Sequence, residues 1–465
     1  MLDTVLTAAV LGCVSRSPHF PALHRRMNVR AIAFPRTARD RGIGVAGEAE
    51  GLAPAPPRGL SRLGRRWLWL AAVGPGLMVM LADTDAGSVV TAAQSGARFG
   101  YRLLGLELIL IPVLYLVMEL AVRLGVVTGK GYAELVKERF GWAWAAVSVG
   151  ALLVTSVGAL VTEFAGIAGV GAIVGLPAGP VVLGAAAMLL VVVLSGSYRR
   201  VELIGLGLGL FECAFLVAAL RAHPDPGALA AGLLSAPSLG GSGYLTMVAA
   251  NVGAVVMPWM VFYQQAALVD KGVTARNLRV ARVDTAVGAV VTQLVMIAIL
   301  VAAGATLFEH RPGSLDTVSQ ISNALTPYLG AAGGRLAFAL GVSGAALVAG
   351  LVVSLAAAWA FAELTGRPRS LNRGIRQEPL FYGVFAAAVI IAALLVLSST
   401  SLVGLAVGVE VLNALLLPVI LGFLIALAWT ALPARYRLRL WERAVLAVVT
   451  AGVVAMGVAA VVTMV

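Results

Sequence analysis

Two acidic side chains lie in the middle of the first long apolar stretch of the chain, residues 67–93. The central part of this stretch reads GPGLMVMLADTDAGSVV. A carboxylate in hydrocarbon is costly unless it is paired, so buried acids in apolar segments are candidates for ion binding. Asp85 stands directly before an Ala-Gly-Ser break, and Ser88 adds a hydroxyl oxygen. We expect Asp85 and Ser88 to bind a cation, and Asp83 to contact it or to face a water-filled vestibule or a neighbouring helix.

A second stretch, residues 244–269, carries helix-breaking residues at a comparable depth. The polar or helix-breaking residues in its middle are Asn251, Gly253 and Pro258. Unwinding before Pro258 would expose the backbone carbonyl of Ala254 and bring in the thioether of Met257. Carboxylate and carbonyl oxygens suit Mg²⁺ and Mn²⁺, whereas a thioether shifts the preference toward softer transition metals. These residues predict a binding site for a partly dehydrated divalent cation. The alternative for Met257 is that it only fills space in the hydrophobic core.

The elements that position these residues are long apolar runs. The 465 residues are 60% hydrophobic and 12% charged, whereas soluble proteins carry about 25% charged residues. This composition excludes a soluble globular protein and a disordered chain. At about 20 apolar residues per crossing, the sequence predicts an all-α integral membrane protein with about 11 transmembrane helices. The predicted runs are 67–93, 102–127, 142–174, 181–196, 201–220, 244–269, 283–307, 336–362, 380–397, 401–429 and 442–464.

The two interrupted runs are the first and the sixth, five helices apart. An odd offset inverts the second set of five helices relative to the first, which is the arrangement of inverted-repeat transporters whose paired broken helices hold the substrate near the midplane. Simple kinking by glycine and proline is the alternative, but it does not explain a buried aspartate. We predict a first repeat over residues 67–220, a second over 244–429 and an extra helix at 442–464.

The basic residues indicate how the chain lies in the membrane. Of the 34 Lys and Arg, 29 lie in the N-terminal tail and in segments that share its side. Such segments face the cytoplasm. We therefore predict a multi-pass protein of the cell membrane with the N-terminus inside and the C-terminus outside, surrounded by lipid and without a nucleic-acid partner. Residues 1–66 are predicted to be a disordered basic tail; the alternative is a true start at Met27 or later.

Five motifs together resemble the NRAMP family of divalent metal transporters, and the resemblance spans residues 67–427. In this chain the motifs read GPG at 74–76, DAGS at 85–88, QSGARFGY at 94–101, RLGVVTGK at 123–130 and AVVMP at 254–258. They resemble the family patterns GPG, DPGN, QAGAxFGY, RLGxVTGK and AxxMP. The resemblance implies a LeuT-like 5+5 inverted repeat with broken helices 1 and 6. It also implies that Asp85, Ala254 and Met257 are metal ligands.

The chain departs from the family pattern at four positions. Ser88 replaces the DPGN asparagine, Ala86 replaces the proline before the glycine, and Trp259 replaces the histidine after MP. In the third helix the family often has an acidic pair, of which Glu163 remains while Leu160 stands at the earlier position. The histidine and the acidic pair are associated with proton movement in the family, so their loss argues against the usual proton symport. Glu163 is the best remaining candidate for a proton path.

Other acids lie inside apolar runs, among them Glu119, Glu212 and Glu410. Each can pair with an arginine, line a water path or stay protonated, because burial raises the pKa of a carboxyl. Glu410 and Asn413 are three residues apart and share a helix face. They are predicted to line the vestibule or to form an interhelical hydrogen bond.

The leading hypothesis is alternating-access transport of a divalent cation, with Mn²⁺ and Fe²⁺ ahead of Mg²⁺, H⁺ open as a coupling ion and no cofactor. One alternative is an uncoupled Mg²⁺ transporter of the NRAMP-related type. Another is an amino-acid or organic-cation transporter of the same fold, and a third is a passive channel. An intramembrane enzyme is the weakest alternative, because the chain has no HExxH motif and no nucleophile with a neighbouring base.

Overall fold

The computed structural model describes residues 74–235, 242–308, 315, 318, 320–322, 333–398 and 402–464. The side chains of residues 242, 402–412, 414–415 and 453–464 are outside this description. The predicted tail, residues 1–66, also lies outside the described residues, as does the side chain of Glu410. The predictions made for them remain predictions.

The described part of the chain is helical and contains no strand. Its α-helices are α1 (Pro75–Leu81), α2 (Ala86–Phe99), α3 (Leu104–Thr128), α4 (Tyr132–Phe140), α5 (Trp142–Ile173), α6 (Ala178–Leu194), α7 (Tyr198–Gly209), α8 (Cys213–Arg221), α9 (Pro226–Leu233), α10 (Ser242–Val255), α11 (Pro258–Asp270), α12 (Leu278–Leu307), α13 (Gly333–Thr365), α14 (Pro379–Ser398), α15 (Leu402–Thr430) and α16 (Leu440–Met464). Short 3-10 turns cover Leu210–Glu212, Ala275–Asn277 and Ala434–Tyr436.

Within the described residues, each predicted apolar run coincides with a helix or with a pair of consecutive shorter helices. Seven helical segments of the described residues are long and apolar enough to cross a membrane, and two of these segments are the pairs α7 with α8 and α10 with α11. The prediction of an all-helical fold is thus confirmed. It held because apolar length alone identifies a membrane-crossing segment.

The first and sixth runs are each divided into two half-helices, as predicted. In the first, residues 82–85 separate α1 from α2, and Asp85 has an extended backbone with φ −73° and ψ 175°. In the sixth, Val256 and Met257 separate α10 from α11, and Met257 is also extended, with φ −100° and ψ 144°. In both runs, the backbone thus leaves the helical conformation directly before the second half-helix begins.

The position of the second break differs in detail from the prediction. Asn251 and Gly253 lie inside α10, and only Pro258 marks the break. Asn251 is tolerated within the helix because its side-chain amide donates to the carbonyl of Met247 at 2.7 Å and to Ser95 Oγ at 2.8 Å. A polar side chain whose donors are bound in this way does not need to break the helix.

Helix α12 lies against both halves of the first broken helix, α11 packs against α3 and α13, and α13 packs against α5. The approach of α2 to α12 is close at Gly96, where any Cβ would collide with the backbone at Leu300 and Gly304. Glycine is therefore required at this contact. The first broken helix is thereby held against one continuous helix along its length.

Glu119 forms ion pairs, one of the three roles predicted for it. Its carboxylate lies 2.5 Å from Arg123 Nη2 and 2.6 Å from Arg282 Nε. Arg123 also lies 3.0 Å from Glu442 Oε1. This ion cluster, made of Glu119, Arg123, Arg282 and Glu442, joins α3, α12 and α16, so the final helix is tied to the rest of the bundle.

Candidate cation site between the two broken helices

Asp85 is the N-cap of α2. The first N–H groups of a helix have no partner within it, and an aspartate before the helix can accept from one of them. Here Asp85 Oδ1 accepts from the backbone N–H of Ser88 at 2.7 Å. A carboxylate offers about four lone-pair positions, so this cap leaves Asp85 able to bind a cation. The break in the helix is what fixes its carboxylate in place.

Ser88 connects the two breaks. Its hydroxyl donates to the backbone carbonyl of Ala254 at 3.2 Å, across 166 positions of sequence. In a continuous helix this carbonyl would accept from the residue four positions later, but that residue is Pro258, which has no N–H. The carbonyl is therefore available to a group outside its own helix. Ser88 thus brings Asp85 and Ala254 together.

Met257 lies in the second break, three residues after Ala254, as the N-cap of α11. Its sulfur is 3.2 Å from Nε1 of Trp259. Its own backbone N–H points to the sulfur of Met260 at 3.5 Å. The thioether is therefore positioned at the break by neighbours on its own half-helix, and its sulfur is in contact with an N–H donor.

The four predicted ligands are closed to solvent in this conformation. Asp85 and Ala254 are each 1% exposed, and Ser88 and Met257 are fully buried. No group of three or more His, Cys, Asp and Glu side chains able to hold a metal occurs in the part of the chain that the structure describes. A cation held here would rely on one carboxylate together with hydroxyl, carbonyl and thioether donors. This donor set suits a divalent metal that is not strictly hard.

Two further acids lie beside the first break. Glu163 on α5 accepts from the backbone N–H of Ala86 at 3.1 Å, so it caps the same half-helix as Asp85. Three residues later, Gly166 packs directly against the Ala86 methyl group. Asp83 is 1% exposed and lies among packed helices rather than at an open surface. Glu163 therefore contacts the segment that carries the site, which its sequence position alone did not indicate.

Several polar contacts around the first break were not predicted. Thr84 lies within the break, and its hydroxyl is 2.8 Å from that of Thr292 on α12. Asp284, also on α12, accepts from the N–H of Gly76 at 2.7 Å near the start of α1. Asp284 could have been found from the sequence, since it is an acid in the seventh apolar run. Like Glu119, an acid in such a run is expected to have a binding partner. The threonines could not have been found in this way, because threonine is common in membrane helices.

Glu212 has a different environment from Glu119. Its carboxylate is buried and lies beside Thr84 of the first break. It forms no ion pair with an arginine among the described residues, so the pairing predicted as one option is not its role in this conformation. Asn413 on α15 is buried without a hydrogen-bond partner in the described part of the chain.

Comparison with solved structures identifies the fold. A manganese transporter of Eremococcus coleocola superimposes with a TM-score of 0.72 at 17% identity, over 86% of this chain and 87% of that one. A nucleobase-cation-symport-1 family transporter in a closed conformation gives a TM-score of 0.55 at 13% identity, over 84% of this chain and 91% of that one. These likenesses show that the chain has the LeuT-like fold, which confirms the predicted fold class.

Sequence comparison identifies the family. The model described as natural resistance-associated macrophage protein-like matches residues 76–463. A divalent metal cation transporter MntH of Yersinia pestis (strain Pestoides F) is 29% identical over 306 residues, covering 64% of this chain and 73% of that protein. A protein of the same name from Deinococcus radiodurans is also 29% identical over 306 residues, covering 62% and 67%. The chain belongs to this family, the NRAMP family of divalent metal transporters, which confirms the resemblance and agrees with a transporter rather than an enzyme.

Proposed function

We propose that this protein moves Mn²⁺ and Fe²⁺ across the membrane by alternating access, and that it binds them between its two broken helices. The proposed ligands are the carboxylate of Asp85, the hydroxyl of Ser88, the carbonyl of Ala254 and the thioether of Met257. The observation that carries the proposal is the 3.2 Å contact between Ser88 Oγ and the Ala254 carbonyl, which joins the two breaks beside Asp85. The names of the relatives, among them a manganese transporter, support the same substrate class.

The metal preference follows from the sulfur. Mg²⁺ takes oxygen ligands and loses its water reluctantly, whereas thioether ligands favour softer metals. Met257 lies at the break and is fully buried in this conformation. A ligand set that combines a thioether with a carboxylate therefore favours Mn²⁺ and Fe²⁺ over Mg²⁺.

Proton symport is not part of the proposal. Leu160 and Trp259 stand where the family carries an acid and a histidine, and neither side chain titrates. Glu163, the remaining acid, accepts a hydrogen bond from the N–H of Ala86. This contact binds one of the N–H groups at the start of α2 that have no partner within the helix. We therefore assign Glu163 to the structure of the break rather than to proton transfer.

A second candidate function is uncoupled Mg²⁺ transport of the NRAMP-related type. The observation that favours it is the contact between Trp259 Nε1 and the Met257 sulfur at 3.2 Å. A sulfur that already accepts an N–H is a weaker ligand, which moves the site toward hard cations.

The proposed orientation has the N-terminus in the cytoplasm. Ion pairs link several of the segments that the distribution of basic residues assigns to that side. Lys271 lies 2.7 Å from Glu202, and Arg369 lies 2.5 Å from Glu134. These pairs support the grouping of those segments on one face.

The test is uptake into proteoliposomes that contain the purified protein and an internal pH dye, with Mn²⁺ and Mg²⁺ supplied separately. The proposal predicts Mn²⁺ uptake without internal acidification. Mn²⁺ uptake with acidification would overturn the absence of proton symport. Mg²⁺ uptake without Mn²⁺ uptake would overturn the metal preference and establish the second candidate.

A further inference from the structure

Trp259 places its only polar group on a proposed metal ligand. It is the second residue of α11, directly after Pro258. Its Nε1 lies 3.2 Å from the sulfur of Met257, and both side chains are fully buried. Because both side chains are closed to solvent in this conformation, each supplies the other with a hydrogen-bond partner.

A second buried tryptophan makes no such contact. Trp359 on α13 is also almost completely buried, yet its Nε1 has no hydrogen-bond partner among the described residues. Trp359 packs instead edge-on against Tyr263, with ring centroids 5.5 Å apart. Burial of a tryptophan in this fold therefore does not by itself place its N–H on an acceptor.

A side-chain donor also lies on a sulfur outside the proposed ligand set. The hydroxyl of Tyr263 lies 3.1 Å from the sulfur of Met78 on α1. This contact serves as a reference, because it also places a donor on a thioether but does not involve a proposed ligand.

A donor on the sulfur changes its strength as a ligand. A thioether is a weak hydrogen-bond acceptor, and in a low-dielectric interior the hydrogen bond it accepts is electrostatically stronger than in water. A lone pair that accepts an N–H is withheld from a metal, and the remaining lone pair donates less electron density. Soft cations lose more from this change than hard cations, since sulfur ligation is the source of their advantage.

We propose that Trp259 is a specificity-determining residue of the transport site, because its indole N–H occupies a lone pair of the Met257 sulfur and lowers the preference for soft divalent cations over harder ones. This inference rests on the proposed function, in which Met257 contacts the metal. Trp259 acts on the metal through Met257.

The test compares Cd²⁺, a soft cation, with Mn²⁺ in proteoliposomes containing the full-length protein. Trp259→Phe keeps an aromatic ring and removes the N–H. Since a single hydrogen bond has a modest net value, the ratio of Cd²⁺ to Mn²⁺ apparent affinity should rise about twofold to tenfold. The matched control is Trp359→Phe, which removes the same atoms from a tryptophan without a sulfur contact and should leave the ratio unchanged.

Two further variants separate this effect from a loss of packing. Trp259→Leu also lacks a donor but differs in shape, and it should raise the ratio in the same direction. In a Met257→Leu background, Trp259→Phe should leave the ratio unchanged, because the sulfur is already absent. A cavity at residue 259 would change uptake in both backgrounds, whereas the proposed effect requires the sulfur.

An unchanged ratio in Trp259→Phe would overturn the inference, and so would a lower one, which would mean that Trp259 helps the sulfur to bind metal. Both results leave Mn²⁺ uptake by the unaltered protein intact. Failure of the unaltered protein to carry any divalent cation would instead overturn the proposed function itself.

Discussion

Ser88 and Met257 determine the chemical character of the proposed site at the scale of single residues. Ser88 has a hydroxyl where the family pattern has an asparagine amide, and this hydroxyl reaches the Ala254 carbonyl of the other broken helix. Met257 supplies the one soft donor of the proposed ligand set. The oxygen ligands are suitable for Mg²⁺ and Mn²⁺ alike, so discrimination between these two ions depends on the sulfur.

Replacing Met257 with leucine tests this role of the sulfur. The substitution conserves volume, which limits its cost in stability, and it removes the soft ligand. We expect the apparent affinity for Mn²⁺ to fall about tenfold, or about 1.4 kcal/mol, with a much smaller change for Mg²⁺. Uptake of each ion by proteoliposomes measures both values. Met118→Leu, which removes a fully buried sulfur from α3, is the control. Equal losses for both ions in Met257→Leu would remove the sulfur from the ligand set.

At the scale of elements, the two interrupted helices make the site possible. An unbroken membrane helix satisfies its own backbone groups and offers no carbonyl to a substrate. Pro258 removes one N–H, which frees the Ala254 carbonyl, and the break before Ala86 fixes the Asp85 carboxylate at the start of α2. The site is therefore built from what each helix leaves unsatisfied at its break.

Restoring the missing N–H should weaken the site. In Pro258→Ala, the new backbone N–H can donate to the Ala254 carbonyl. This N–H would then compete with the Ser88 hydroxyl and with the metal for the carbonyl oxygen. We expect the apparent affinity for Mn²⁺ to fall severalfold while the protein remains folded. Pro112→Ala is a matched control, because Pro112 lies inside the unbroken helix α3. A loss of the same size in both variants would show that the effect does not come from the carbonyl.

The sequence predicted the helices and both breaks, but not the contacts between them. Apolar runs and the DAGS and AVVMP segments are local signals, and local signals identify elements. The Ser88–Ala254 contact and the position of Glu163 on the Ala86 N–H depend on how distant helices pack. The sequence also predicted Asn251 at a break, whereas Asn251 lies inside α10. The hydrogen bonds from its amide to Ser95 and to the Met247 carbonyl, which allow this, cannot be inferred from sequence.

At the scale of the whole molecule, helix α12 links the site to the last helix. Its Asp284 carboxylate accepts a hydrogen bond from the N–H of Gly76 at the start of α1. Through Arg282 it joins the ion cluster that includes Glu442 of α16. The first half-helix and the final helix are thus attached to the same continuous helix, so the ion cluster stabilises the bundle around the first break.

Removing Arg123 should strongly destabilise the protein. Arg123→Met leaves the Glu442 carboxylate without its arginine, and breaking a buried ion pair costs about 3–5 kcal/mol. Thermal unfolding of the purified protein in detergent should show a clear fall in Tm. Lys130→Met is the control, since Lys130 pairs with Glu138 at an exposed position, where a pair contributes about 0–1 kcal/mol. Similar Tm values for the two variants would contradict the role given to the ion cluster.

The central claim, that divalent metal is bound at the break before α2, is tested most directly by Mn²⁺ uptake in Asp85→Asn. The asparagine oxygen can still accept from the Ser88 N–H, so the helix cap is kept while the charge is lost. Glu107→Gln is the control, because Glu107 is also fully buried but belongs to the start of α3. We predict that Asp85→Asn purifies as a folded protein and loses Mn²⁺ uptake, while Glu107→Gln retains it. Uptake by Asp85→Asn at the level of the unaltered protein would contradict the account.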